Sequence, residues 1–190
     1  MKKPTITTSL LLILLTFFMS TAFSQKLELV DGKYIYQDIY NTEVNKDDSY
    51  ILIRRWFAES YNSSEEVLEV EDRENGMFIG RGRSAVKALN RMGNSFTKDI
   101  AYTIKVEIKD LRFRLTFSNV EYIDAPSQYT NYQNIYVSAE TLLSQENLSS
   151  RKNGQRIFST TLKKGAEAEF LRIGRDIMLY LEKEHLVDDW

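Results

Sequence analysis

The sequence has 190 residues, a formal net charge of −2 and no cysteine. This length suits a single domain with a sizeable core. The slightly acidic balance provides no overall field that would attract nucleic acid or an anionic membrane. The lack of cysteine excludes disulfides, a lipid anchor on an N-terminal cysteine and zinc sites built on thiolates.

Residues 1–24 are typical of a cleavable signal peptide. Lys2-Lys3 give a positive start, residues 10–19 are almost entirely apolar, and the small residues in Ala22-Phe23-Ser24 suit a cleavage site. The apolar stretch is shorter than the ~20 residues that a membrane-spanning helix needs. We therefore predict an exported protein of residues 25–190 with a net charge of −4. We expect it in the bacterial periplasm or outside the cell, with no transmembrane anchor after cleavage.

The first half of this mature chain begins with a predicted strand and helix. Residues 33–44 alternate around Tyr34, Tyr36 and Ile39, which is the pattern of a strand. Asn45 is expected to cap the helix, whose apolar residues recur at helical spacing through residue 61.

A hairpin follows, with strands predicted over 65–72 and 77–89 around a turn at 74–76. Gly80 and Gly82 fall on one face of the second strand and do not match a dinucleotide-binding fingerprint. We expect them to allow the close approach of a helix, or to mark a bulge that curves the sheet.

The strictest alternation lies in the next two predicted strands. Apolar residues occupy every second position over 100–108 and again over 111–117, with polar residues between them. A two-residue turn at Asp110-Leu111 would place Glu107 opposite Arg114 and would also pair apolar with apolar residues. The pattern predicts a sheet with one buried face and one solvated face.

A long polar connection is predicted over 124–163, with a short helix near 139–144. An apolar stripe over 166–181 then predicts a long final helix that ends near His185. The element order is strand, helix, four strands, helix. This order predicts an α+β fold, an antiparallel sheet of about five strands with two helices on one face.

Four segments carry a resemblance to a known family. They are the capped helix start 45–48, the acidic strand 69–72, the glycine-bearing segment 76–82 and the hairpin 104–114. In these segments the chain resembles the exported bacterial domain of unknown function 4468 with a TBP-like fold, the topology of one half of a TATA-binding protein. The resemblance spans roughly residues 33–122 and implies that fold and export, with no established activity or ligand.

One residue departs from the family pattern. Leu111 stands where the family tends to have a glycine after Asp110. Because leucine is costly at positive φ, the type of this turn is left open by the sequence.

Three patterns invite a catalytic or metal-binding interpretation. Ser84 and Lys87 have the spacing of penicillin-binding enzymes, but residues three apart on a strand point to opposite faces. His185 is the only histidine and cannot form a metal cluster alone. Adjacent acidic pairs at the ends of elements are more typical of caps and solvated termini than of a glycosidase; they are Asp47-Asp48, Glu65-Glu66 and Asp188-Asp189. We predict no enzyme, no catalytic or metal site and no cofactor.

The solvated face of the sheet is the candidate binding surface. Four cations are expected to project from it, and two more join them if the glycine-bearing strand pairs there. They are Lys105, Lys109, Arg112 and Arg114, then Arg81 and Arg83. The alternative is an ordinary charged solvent face that Glu107 partly neutralises.

The sequence therefore predicts an exported, non-catalytic envelope protein that acts as a binding module through this face. Its expected partner is an envelope protein, a glycan or another anionic component, and not nucleic acid. The alternative is a hydrolase or small-ligand carrier with a site between the 124–163 connection and the sheet.

Overall fold

The computed structural model describes residues 26–61, 67–90, 92–126, 132–144 and 153–187. The predicted signal peptide and the acidic pairs at 65–66 and 188–189 lie outside the described residues. The elements are β1 (Leu27–Val30), β2 (Lys33–Asn41), α1 (Lys46–Ser60), β3 (Leu68–Asp72), β4 (Met77–Leu89), β5 (Ser95–Lys109), β6 (Arg112–Asp124), β7 (Ile135–Ser138), α2 (Ala139–Leu143) and α3 (Asn153–Val187).

The strands form one antiparallel sheet in the order β1-β2-β6-β5-β4-β3. β7 pairs with the far end of β6, at residues 121–124, beyond the part of β6 that β2 reaches. The predicted α+β class and antiparallel sheet are confirmed, but the sheet has seven strands rather than about five. β1 and β7 have only four residues each, which is too short for an alternation signal to predict them.

The helices pack on one face of this sheet. The predicted apolar stripe of α3 is fully buried there, and Phe170 stacks on Phe117 of β6 with ring centroids 4.2 Å apart. α1 lies beside α3, and the indole Nε1 of Trp56 donates to Asp176 Oδ2 at 3.0 Å. α2 reaches the same core through Leu143, whose carbonyl accepts from the Tyr34 hydroxyl at 2.6 Å.

α3 is longer than the sequence predicted, so the connection predicted over 124–163 ends at Asn153. The first part of the helix carries few buried residues, of which Ser159 and Leu162 are two. Because the remaining side chains there are mostly polar, this part of the helix lacks a continuous apolar stripe. The short helix expected near 139–144 is present as α2.

The inward face of β2 differs from the one predicted. Tyr34 and Tyr36 point to the core, as expected, and period two therefore turns Asp38 and Tyr40 inward as well. Ile39 lies on the opposite face and is 39% exposed. The sequence analysis grouped Ile39 with Tyr34 and Tyr36. The alternation of the strand shows that this grouping was wrong.

The two glycines of β4 make room for close neighbours, as expected. A Cβ on Gly80 would lie 2.4 Å from the Val67 carbonyl oxygen, next to a bulge in β3 between Leu68 and Val70. A Cβ on Gly82 would lie 2.3 Å from the ring of Tyr102 on the neighbouring strand. The approaching groups are thus the backbone carbonyl of Val67, the helical residue that precedes β3, and a side chain of the neighbouring strand.

The β5–β6 hairpin has the predicted two-residue turn and register, with Ile108 opposite Phe113 and Glu107 opposite Arg114. Leu111 adopts a φ of +60°, the left-handed region that disfavours a leucine. The turn is held from outside, because Asp110 Oδ1 accepts from the Lys46 backbone N–H at 3.1 Å.

We expect Leu111→Gly to stabilise the protein relative to Leu111→Ala, although both remove the same exposed side chain. Glycine relieves the left-handed backbone and costs entropy in the unfolded chain, for a net gain of about 0.5 to 1 kcal/mol. Urea unfolding of both variants measures this difference in the free energy of unfolding. Equal or lower stability for the glycine variant would contradict the prediction.

Candidate functional site

The face of the sheet opposite the helices, called here the open face, has no described helix packed on it, although Ile123 beside β7 is only 3% exposed. β4 pairs with β5 from Met77 to Leu89, and β5 pairs with β6 from Asp99 to Lys109. Paired residues of antiparallel strands point to the same side, so all six predicted cations lie on this face. They are Arg81 and Arg83 on β4, Lys105 and Lys109 on β5, and Arg112 and Arg114 on β6.

Four of these six cations are neutralised within the face. Glu107 accepts from Lys105 Nζ at 3.1 Å and from Arg114 Nη2 at 2.7 Å. Arg81 pairs with Glu69 at 2.7 Å, and Arg83 pairs with Asp99 at 2.7 Å. The expectation that Glu107 neutralises part of the face is therefore met, and two further acids do the same. Glu69 and Asp99 were not predicted as partners, because the sequence analysis set no register for β3 on β4, which shifts at a bulge between Leu68 and Val70, or for β4 on β5.

The pKa of Glu107 reports the strength of its contacts. Partial burial is the largest single influence and acts to raise this pKa. The hydrogen bonds from Lys105 and Arg114, together with their charges, outweigh burial and hold the pKa of Glu107 below its ordinary value. Glu107 is thus a fixed carboxylate between two cations.

Lys109 and Arg112 differ from the other four. They lie directly opposite one another on either side of the Asp110-Leu111 turn, and both are exposed. Neither forms an ion pair with any of the described residues. Among the six predicted cations, these two are the ones that no described acid holds in an ion pair.

The open face also carries aliphatic side chains that the sequence analysis did not assign to it. They are Ile35, Ile39, Val70, Met77 and Ile79. The outward positions of β2, β4, β5 and β6 include no aromatic residue. Counting every second position outward from the buried tyrosines of β2 would have identified Ile35 and Ile39.

A second concave region lies between the connection after β6 and the sheet, where the alternative function would need its site. It has a volume of about 570 Å³, and its lining includes Phe96, Asp99, Ile123, Asp124 and Asn134. Asp99 is bound by Arg83, and Asp124 is bound by Lys98. Both described carboxylates of this region are therefore held in ion pairs.

The helix-covered side contains a group of buried polar atoms along β2. The hydroxyls of Tyr36 and Tyr40 and one carboxylate oxygen of Asp38 have no hydrogen-bond partner among the described residues. Burial first, and then the charge of Asp38, raise the pKa of Tyr36 to about 12. Each of the three residues is at most 7% exposed, so an external ligand has no direct access to them.

The patterns considered for catalysis do not converge in the described structure. Ser84 points inward, with its hydroxyl 2.9 Å from that of Tyr102, whereas Lys87 is exposed on the open face. His185 is exposed in the last turn of α3. Within the described ranges, no three histidine or acidic side chains are grouped as a metal ion would require.

None of the described helices is both long enough and apolar enough to cross a membrane.

The order of the strands, with the helices on one side of an antiparallel sheet, defines a TBP-like α+β protein. Residues 36–123 match the family described as a domain of unknown function (DUF4468) with TBP-like fold. This segment of the chain, from β2 to β6, is therefore a domain of that family, and the resemblance predicted from the sequence is confirmed. No curated protein matches the sequence.

Two solved structures share the fold. A TBP-like protein from Parabacteroides distasonis has a TM-score of 0.59 and 17% identity, over 82% of this chain and 97% of that one. A DUF4468 family protein from Bacteroides ovatus has a TM-score of 0.61 and 13% identity, over 83% of this chain and 91% of that one. At these identities the likeness establishes the fold alone.

We expect Glu107→Gln to lower the free energy of unfolding at pH 7 by at most about 1 kcal/mol, since the ion pairs are partly exposed. The pKa of Glu107 is lower in the folded state than its unfolded value of about 4.3. Its stabilisation is therefore complete above that value and is lost as the pH falls through the lower folded value. Urea unfolding of both proteins between pH 7 and pH 3 should show the difference disappearing at the acidic end.

Glu121→Gln is the matched control, because Glu121 lies on the same face and forms no ion pair with described residues. It should change stability little at any pH. A difference between the wild-type protein and Glu107→Gln that does not decrease between pH 7 and pH 3 would count against this account of Glu107.

Proposed function

We propose that the protein is exported and works in the bacterial envelope as a non-catalytic module that binds another protein through the open face. The observation that carries this proposal is the asymmetry of the sheet. One face is sealed by the helices, while the other combines aliphatic side chains with an ordered set of charges and has no described helix packed on it. Aliphatic area surrounded by polar groups is what a protein interface offers.

The composition of the open face favours a protein over a glycan or a nucleic acid. Stacking of sugars or bases requires aromatic side chains, and the outward positions of the four central strands have none. A polyanion would also need many available cations, whereas four of the six candidates are bound to acids of the same face. A protein partner needs only a few charges together with apolar contact.

The alternative, a hydrolase or small-ligand carrier, would use the region of about 570 Å³ beside the connection. That volume suits a small ligand. An acid–base role needs a carboxylate that is free to exchange a proton, and Asp99 and Asp124 are each bound to a cation. The binding module is therefore the function that we propose.

The test places a charge in the middle of the aliphatic part of the open face. Ile79→Asp buries an unpaired carboxylate at any interface formed there and is expected to reduce partner recovery about tenfold or more. Leu179→Asp is the matched control, because Leu179 is 58% exposed on α3, away from the open face. Cross-linking of the purified proteins to the native envelope, followed by quantitative mass spectrometry, measures recovery of each partner.

A partner that is lost with Ile79→Asp and kept with Leu179→Asp supports the proposal. Equal recovery with both variants would contradict it. Circular dichroism checks the fold of each protein. Val70→Asp provides a second open-face variant if Ile79→Asp does not fold, because Val70 is 41% exposed on the edge strand.

A further inference from the structure

The paired cations beside the β5–β6 turn are unusual for a cross-strand position. Lys109 and Arg112 face each other directly, and like charges in such a pair repel. Elsewhere on the open face the fold places an acid beside each candidate cation, as with Glu107 next to Arg114. At this one pair the repulsion is left uncompensated by the described residues.

Three acids lie near this pair. Glu107 is held by Lys105 and Arg114. Asp110 accepts from the backbone N–H of Lys46 at the start of α1. Glu74, on the β3–β4 turn, forms no ion pair with a described residue, and its backbone carbonyl accepts from Lys46 Nζ. Since none of the three forms an ion pair with Lys109 or Arg112, both cations are available to a carboxylate from another molecule.

The pair stands at the edge of a cleft that opens on the same face. The cleft has a volume of about 580 Å³ and lies between the β5–β6 turn and the β3–β4 turn. Ile39 of β2 and Met77 of β4 contribute apolar surface to it. The two residues lie in one row across the sheet, with Arg114 of β6 and Glu107 of β5 between them. Cations, aliphatic side chains and the acids Glu74, Glu107 and Asp110 thus line one concave surface.

We propose that this cleft receives an acidic peptide segment of the protein partner, with a carboxylate between Lys109 and Arg112 and separate aliphatic side chains on Ile39 and on Met77, which lie three strand spacings apart. An arginine fork and a carboxylate have matching geometry, and a nearby lysine adds charge. The inference rests on the proposed function and names the chemistry of its partner.

A phosphate or a sulfated sugar is a weaker match to the same cleft. It would use the two cations but would gain nothing from Ile39 and Met77. The aromatic residue of the described lining, Phe113, is buried on the core side and offers no surface on which a sugar could stack. A peptide with both acidic and aliphatic side chains uses both parts of the surface. We therefore assign the cleft to a peptide.

The test is an NMR titration of the 15N-labelled protein, purified in the form that the cell accumulates. The probes are the peptide acetyl-Leu-Glu-Glu-Leu-amide, its Gln-Gln counterpart and inorganic phosphate. We expect the acidic peptide to shift the amide resonances of residues 107–114 and of Ile39 and Met77. The Gln-Gln peptide should not do so, and added salt should weaken binding because the charges are exposed.

Charge reversal then separates this cleft from general electrostatics. Lys109→Glu with Arg112→Glu should weaken binding of the acidic peptide about tenfold or more. Lys87→Glu with Lys164→Glu makes the same change in net charge at two exposed residues away from the cleft, and should leave the affinity within about twofold. Lys109→Gln with Arg112→Gln serves as a milder variant if the reversed pair disturbs the fold.

Three outcomes would overturn the inference. The first is no shift with the acidic peptide, and the second is unchanged affinity in the Lys109 and Arg112 variants. The third is a set of shifts with phosphate alone, which would indicate an anionic headgroup. Partner recovery distinguishes this failure from failure of the proposed function. Loss of the partner with Ile79→Asp, but not with the Lys109 and Arg112 reversal, leaves the binding module intact and removes only the cleft. Retention with both variants removes both.

Discussion

The β5–β6 hairpin depends on one constraint, the alternation of apolar and polar side chains along two long neighbouring strands. Because adjacent residues of a strand point to opposite faces, the alternation divides the sheet into a face that must be covered and a face that stays in water. The apolar face recruits α1 and α3, with Phe170 stacked on Phe117. A shift of one residue in the pairing would exchange the two faces, so the register at Glu107 and Arg114 is strongly specified.

The same constraint organises the charges of the open face. Polar residues at alternate positions on three paired strands come within reach of each other, and acids and bases form ion pairs across the sheet. Exposed ion pairs of this kind contribute little stability, but they fix side chains and cancel charge. Their consequence for recognition is that four of the six candidate cations are held by acids of the sheet, whereas Lys109 and Arg112 beside the β5–β6 turn are not.

The turn residue Leu111, which stands where the family tends to have glycine, shows how strongly the pairing of β5 with β6 constrains the chain. The turn keeps its two-residue length despite a leucine at positive φ. Pairing of the two strands on either side, together with the hydrogen bond from Lys46 N–H to Asp110, outweighs the local preference of the turn residue. The cost is tolerated where it holds the two cations beside the cleft.

Local patterns were sufficient for the elements with strong periodicity. Asn45 was predicted as a cap, and its side chain accepts from the Asp48 N–H. β4 has the predicted bounds, and the β5–β6 register is the predicted one. Short strands such as β7 and the polar first part of α3 escaped prediction, because four residues or a weak stripe do not define a period.

The sequence by itself determined the fold class, the buried and solvated faces of the hairpin and the six cations that share the open face. These features follow from local periodicity, which a chain carries in its order of residues. The tertiary structure alone decided which cations are held by acids, because Glu69 and Asp99 reach Arg81 and Arg83 through the registers of β3 on β4 and of β4 on β5, which alternation along one strand does not set. It also decided where a cleft forms, since two turns separated along the chain must meet at one end of the sheet.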